Sequence, residues 1–111
     1  MIKRITVGRK NPSLSHEEWK KYYLGTHAPL FLKNAAPYIR KYIINFAVDI
    51  PGTQNPFDYA TELYFEDLDT WNLVRNSEPF QKIILPDESK LGNVDRQSAW
   101  FEELVQKDIP R

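Results

Sequence analysis

The 111-residue chain contains no cysteine, one methionine, two histidines and four glycines. Without cysteine there is no disulfide, no thiol nucleophile and no thiolate metal site, a composition that fits a reducing compartment such as the cytoplasm. With only His16 and His27 to draw on, a multi-histidine metal centre is not expected. Surplus charge is missing too. Fifteen basic and fifteen acidic residues cancel, so the chain offers no electrostatic footprint for nucleic acid or an anionic membrane. No stretch approaches the ~20 apolar residues of a membrane span, and the first ten residues, MIKRITVGRK, hold no apolar run of signal-peptide length. There is no internal repeat and no low-complexity linker. The expectation is one domain over residues 1–111.

What is present is aromatic: three Trp, six Tyr and six Phe. Tyrosine and tryptophan combine apolar area with a polar tip, which suits both a core and a pocket for a flat ligand. A domain of this size buries only about two-thirds of the surface its unfolded chain exposes, so burial against a partner would help.

Residues 2–9 alternate, with Ile2, Arg4 and Thr6 on one side and Lys3, Ile5 and Val7 on the other, the pattern of a strand with one face more apolar. Ser15 and Glu18 form a capping box that starts a helix near His16. At ~100° per residue, Trp19, Tyr23, His27 and Leu30 share one side of that helix. Pro29 cannot donate to the carbonyl of residue 25, which is Gly25, so the segment YLGTHAPLF predicts a kink with His27 beside it. Residues 40–49 are apolar on both faces and read as a central strand. Residues 51–56 form a loop and 58–65 another strand, with Tyr59, Thr61, Leu63 and Phe65 opposed to Ala60, Glu62 and Tyr64. Asp67 can cap a second helix carrying Leu68, Trp71 and Val74, and SEPF, 77–80, opens a further short one. LPDESKLGNVD, 85–95, reads as a break and return. Residues 97–105 fit a helix or a strand. If a strand, the order is β-α-β-β-α-β, the α+β ferredoxin-like arrangement, with one antiparallel sheet and its helices on one face. Apolar residues on both faces then call for a second sheet, so a homodimer is expected from burial alone.

The strand ending at Arg9, then LSHEEWKKYYLGTHAPL, IRKYIINFAV and ILPDESKL, resemble the EthD family of the dimeric α/β-barrel superfamily, fungal polyketide-pathway members in particular. The resemblance implies a dimeric α/β-barrel with one pocket per subunit. It also implies cofactor-free chemistry of the polyketide cyclase, dehydratase, decarboxylase or lactone isomerase kind. A histidine of the first helix takes part in proton transfer in several such enzymes, and His27 is the matching position. Monooxygenases and haem-binding enzymes share the fold more distantly, so cofactor-free oxygenation, haem ligation by His27, or a non-catalytic ligand-binding dimer are the alternatives.

Histidine titrates near ~6.5 and can give or take a proton at neutral pH. It can equally sit in a core, hydrogen-bonded to backbone. Tyr23, one helical turn away, can share its pocket. Glu62 is a mid-strand carboxylate among apolar neighbours, costly unless paired or used, and Tyr64 lies on the same face. Either can serve beside His27, or Glu62 can be an ordinary salt bridge. Asp87 can reach the pocket mouth or cap a helix. These five are the candidate catalytic residues. Trp19, Phe46, Tyr59, Phe80, Ile83 and Trp100 are the candidate substrate-contacting walls, and His16, at a helix start, is expected to be exposed.

Overall fold

The computed structural model describes residues 1–92, 94–104 and 107–110. Strand β1, Ile2–Arg9, is followed by helix α1, His16–Tyr22, which runs through a wide π turn, Tyr23–His27, into α2, Ala28–Ala35. Strands β2, Lys41–Phe46, and β3, Tyr59–Phe65, come next. Helix α3, Leu68–Arg75, precedes a second π turn, Phe80–Ile84, which leads into α4, Leu85–Leu91, and strand β4, Val94–Glu102, closes the sheet. The sheet is antiparallel in the order β2-β3-β1-β4, the ferredoxin-like arrangement. No described helix is long and apolar enough to cross a membrane.

Local chemistry sets the helix starts. The Ser15 hydroxyl accepts from the Glu18 amide while the Glu18 carboxylate accepts from the Ser15 amide, each at 3.1 Å. Asp67 caps α3 by accepting from the Thr70 amide at 2.9 Å. Each π turn has a proline two residues beyond its end, Pro29 after His27 and Pro86 after Ile84. In an α-helix the proline ring collides with the carbonyl four residues back. Widening the preceding turn by one residue relieves that collision and keeps the chain helical. The amides of Ala28 and Leu85 accordingly reach back five residues, to the carbonyls of Tyr23 and Phe80.

Three expectations are corrected here. The kink at Gly25 and Pro29 is instead a π turn within a continuous helical run. Glycine does not relieve crowding there, because a Cβ at Gly25 meets nothing within 4 Å. Strand β2 lies at the sheet edge, not its centre; its two-sided apolar pattern reflects the helices on one face and an uncovered sheet surface on the other. Residues 85–91 form a helix, since Pro86 sits in its first turn, where a missing amide costs nothing. The C-terminal segment is strand over 94–102; Val105, which entered both readings of it, lies outside the described residues.

Register decides the two faces. Gly8 faces Tyr59, Thr6 faces Thr61 and Ser98, and Arg4 faces Leu63 and Trp100 across the ladders. Thr6, Arg4, Thr61 and Leu63 look toward the helices. There the core has two parts. One is Phe31, Ala35, Leu63, Phe65, Val74, Phe80 and Ile84. The other is Trp19, Tyr23, Tyr59 and Leu91. The opposite face carries Lys3, Ile5, Val7, Glu62 and Tyr64.

Candidate active site

Between the two core clusters lies a hollow of about 50 Å³, partly open to solvent, with room for a few water molecules. Phe31, Tyr42, Tyr59, Leu63 and Leu91 wall it, and Arg4, Thr6, Tyr23, His27, Thr61, Glu88 and Arg96 present polar groups to it.

The helical spacing of Trp19, Tyr23 and His27 buries all three, as a stack of edge-on rings with centroids 5.7 and 5.6 Å apart. Trp19 is wholly buried and lies behind the hollow. Phe46 packs on the edges of Trp19 and Tyr23 and lines a separate surface groove with Asn45, Asn55 and Phe57. Tyr23 reaches the hollow and its hydroxyl shares a 2.6 Å hydrogen bond with Thr61 Oγ1.

His27 is buried, and its Nδ1 lies 2.8 Å from Asp87 Oδ2, itself buried at the start of α4. The other Asp87 oxygen accepts from the Tyr22 hydroxyl. A carboxylate only accepts, so the neutral ring carries its proton on Nδ1 and leaves the Nε2 lone pair free. Nε2 has no hydrogen-bond partner among the described residues. Burial, and next the bond to Asp87, push the Tyr22 hydroxyl up to about 12, which keeps it a donor throughout the neutral range. Burial raises Tyr23 and Tyr42 as well, and pushes Tyr59 up to about 12. The tyrosines around the hollow are therefore neutral donors.

The other candidates separate. Glu62 and Tyr64 lie on the far side of the sheet, away from His27. There Lys3 Nζ lies 3.3 Å from Glu62, 3.4 Å from the Tyr64 hydroxyl and 3.0 Å from Glu103. Glu62 makes the salt bridge that a mid-strand carboxylate requires, and neither residue meets the hollow. Phe80 belongs to the core under α3, and Ile83 is exposed. Trp100 packs against Phe65 and Trp71, beside the hollow and not in it. Of the proposed walls only Tyr59 lines it.

Sequence reasoning missed Tyr22, Arg4, Tyr42, Thr61, Glu88 and Arg96. For Arg4 the signal was there: a cation in mid-strand, alternating with Ile2 and Thr6. Glu62 carries the same signal on the opposite face, because alternation separates the two faces of a strand without saying which one meets the helices. Tyr22 lies outside the i, i+4 series. It reaches Asp87 only because the two helical runs pack side by side.

Residues 11–93 match the EthD domain. No curated protein matches the chain. Among solved structures, an EthD family protein from Bacillus halodurans C-125 is 24% identical, superposes with a TM-score of 0.74, and is covered over 99% of its length by 94% of this chain. HapK from Hahella chejuensis is 12% identical over the whole of both chains, with a TM-score of 0.71. A dimeric protein of ferredoxin-like fold from Bacteroides fragilis NCTC 9343 is 15% identical, with a TM-score of 0.64 over 92% of this chain and 95% of that one. With the family match spanning most of its length, this chain belongs to the EthD family.

Proposed function

We propose that this protein is a cofactor-independent enzyme of the lyase or isomerase type, with His27 as the group that moves a proton on a polyketide-like or lactone substrate. One observation carries the reading: a buried histidine is fixed through Nδ1 by a buried carboxylate, and its remaining nitrogen is left free at the wall of a hollow. A histidine with one nitrogen held and the other unpartnered beside a hollow has what a general base needs, and this supports the reading.

The chemistry follows from the atoms present. Nε2 takes the proton from a carbon beside a carbonyl. The C–H electron pair becomes the new C=C bond, and the carbonyl π pair moves to oxygen, giving an enolate. Asp87 stabilises the imidazolium that forms. Neutral tyrosine hydroxyls at the hollow, Tyr23 and Tyr42 among them, donate to the oxyanion. The oxyanion then reforms the C=O bond, the enolate C=C pair becomes the α,β double bond, and the β C–O bond breaks with its pair leaving on oxygen, which takes the imidazolium proton and departs as water. In a conjugated enolate, the proton delivered to the γ-carbon instead gives isomerisation as the oxyanion reforms its C=O bond. Asp87 and Tyr22 act through His27 and are positioning residues. A substrate larger than the hollow need only insert its reacting end. Ligation of a haem by Nε2 would require the whole macrocycle at that position, for which about 50 Å³ is too little.

We also propose that two copies pair through the sheet face opposite the helices. The face of β1 turned away from the helices, with Ile5 and Val7, is the more apolar one, and Phe101 on β4 stands 47% exposed beside it. A second sheet would cover these side chains. The Bacteroides fragilis neighbour is described as dimeric.

Hydrogen–deuterium exchange at the α-carbon of a β-hydroxyketone, 4-hydroxy-4-phenylbutan-2-one, tests the assignment. The protein should accelerate exchange over buffer, and His27→Gln should lose ~10²–10⁴-fold of that while keeping the native circular dichroism. Asp87→Asn should lose less and should change the ¹⁵N signature of the His27 tautomer, which a merely structural carboxylate would not do. Equal rates for wild type and His27→Gln sink the proposal.

A further inference from the structure

The hollow holds more positive than negative charge, and the surplus has an address. Arg96 Nη1 donates to Glu88 Oε2 at 2.9 Å, so those two cancel. Asp87 is taken up by His27 and Tyr22, and lies 4.0 Å from Lys90 on its outer side. Arg4 has neither a hydrogen-bond nor an ion-pair partner among the described residues, although it is only partly exposed and lines the hollow. It is held from behind: its guanidinium lies over the Trp71 ring, 4.8 Å from the centroid, and Trp100 sits opposite it in the ladder, 5.5 Å from Trp71. Burial, and next the charge on Arg96, lower the Arg4 pKa, against a smaller opposing pull from Glu88.

A stacked, oriented guanidinium without a carboxylate is a preformed fork for one. We propose that Arg4 is the anion-binding residue of the His27 hollow, and that the substrate carries a carboxylate which Arg4 grips while His27 works on the carbon skeleton. The inference rests on reading the hollow as the substrate site, and it goes beyond that reading by naming the group that orients the substrate. The tyrosine rings of the wall and Phe31 suit an aromatic or conjugated acid. Trp71 serves as a platform that keeps the planar guanidinium aimed, so Arg4 and Trp71 form one unit. Lysine, a point charge without a stacking plane, would reproduce the attraction and lose the orientation.

The test compares benzoate with benzamide, its uncharged isostere, by following the indole N–H signals of Trp19, Trp71 and Trp100 in a ¹H–¹⁵N spectrum. Wild type should prefer benzoate by ~10–100-fold, the range expected of a charge-assisted pair. The Trp71 signal should move, and that of Trp19, behind Tyr23, should stay. Arg4→Gln should bring the two ligands within about twofold of each other, and Arg4→Lys should restore part of the preference, which guards against a fold that has simply failed. His27→Gln should keep the preference while losing exchange activity, so failure of the proton-transfer reading and failure of this one are separately visible. No preference for benzoate in wild type overturns the proposal. So does a preference that survives in folded Arg4→Gln, or one that disappears only in Arg96→Gln.

Discussion

Tyr22 and Tyr59 hold protons that a free tyrosine would lose. Unfolded tyrosines ionise near ~10. In the folded chain both are pushed up to about 12, chiefly by burial. Between those pH values the unfolded chain has released protons that the native state still binds, so stability is whole below pH ~10 and falls as pH rises toward 12. The urea midpoint should be level from pH 7 to ~9.5 and decline beyond ~10, with a shallower decline in the double variant Tyr22→Phe/Tyr59→Phe. A midpoint that stays level through pH 11 contradicts this account. At this scale much was legible beforehand. The i, i+4 spacing put Trp19, Tyr23 and His27 on one buried stripe, but Leu30, expected on it too, is only half-buried, because beyond the π turn the buried position passes to Phe31. What spacing left open was the partner of His27, because Asp87 is sixty residues away along the chain.

At the scale of elements, the two π turns and the close of α4 decide where the site forms. The first π turn ends at His27, and the second leads into the helix that carries Asp87. Each proline forces its turn wide, and the two widened runs bring imidazole and carboxylate together. Gly92, just past α4, has φ 108°, and a Cβ there would come 2.8 Å from Asn11 Cα. It lets the Leu91 carbonyl accept from the Asn11 amide at 2.6 Å, which seals one side of the hollow. Gly92→Ala should therefore destabilise the fold by ~1–3 kcal/mol from backbone strain alone. Gly25→Ala, in open space within a helical run, should be neutral or stabilise by up to ~1 kcal/mol. Urea unfolding of the two variants measures the contrast, and equal effects would show that helix propensity alone governs both. Neither glycine's role can be read from the sequence: Pro29 makes Gly25 the apparent key, whereas nothing local marks the backbone approach of Asn11 that Gly92 permits.

For the whole molecule, the sheet has helices on one face and a mixed apolar and charged surface on the other. Lys3, Glu62, Glu103 and Tyr64 form a compact polar knot on that second face, beside Phe101. If a second copy packs there, Phe101→Glu places a carboxylate in the contact and should convert a dimer into a monomer of 13.1 kDa in sedimentation equilibrium, with circular dichroism unchanged. Wild type that sediments as a monomer at micromolar concentration removes the pairing proposal and leaves the subunit fold intact.

The first strand, the starts of α1 and α3, and the shared stripe of Trp19, Tyr23 and His27 were determined by local sequence, because capping, alternation and helical spacing act over a few residues; helix α4 and the choice of strand over helix for the last segment were not. Which face of each strand meets the helices was decided only in three dimensions. Alternation is symmetric between faces, and the choice is made by the total area each face can bury. That choice sent Glu62 and Tyr64 to the far side, put Arg4 into the hollow, and brought Asp87 against the imidazole, since a pair so distant in sequence meets only when the whole sheet and both helical runs have closed.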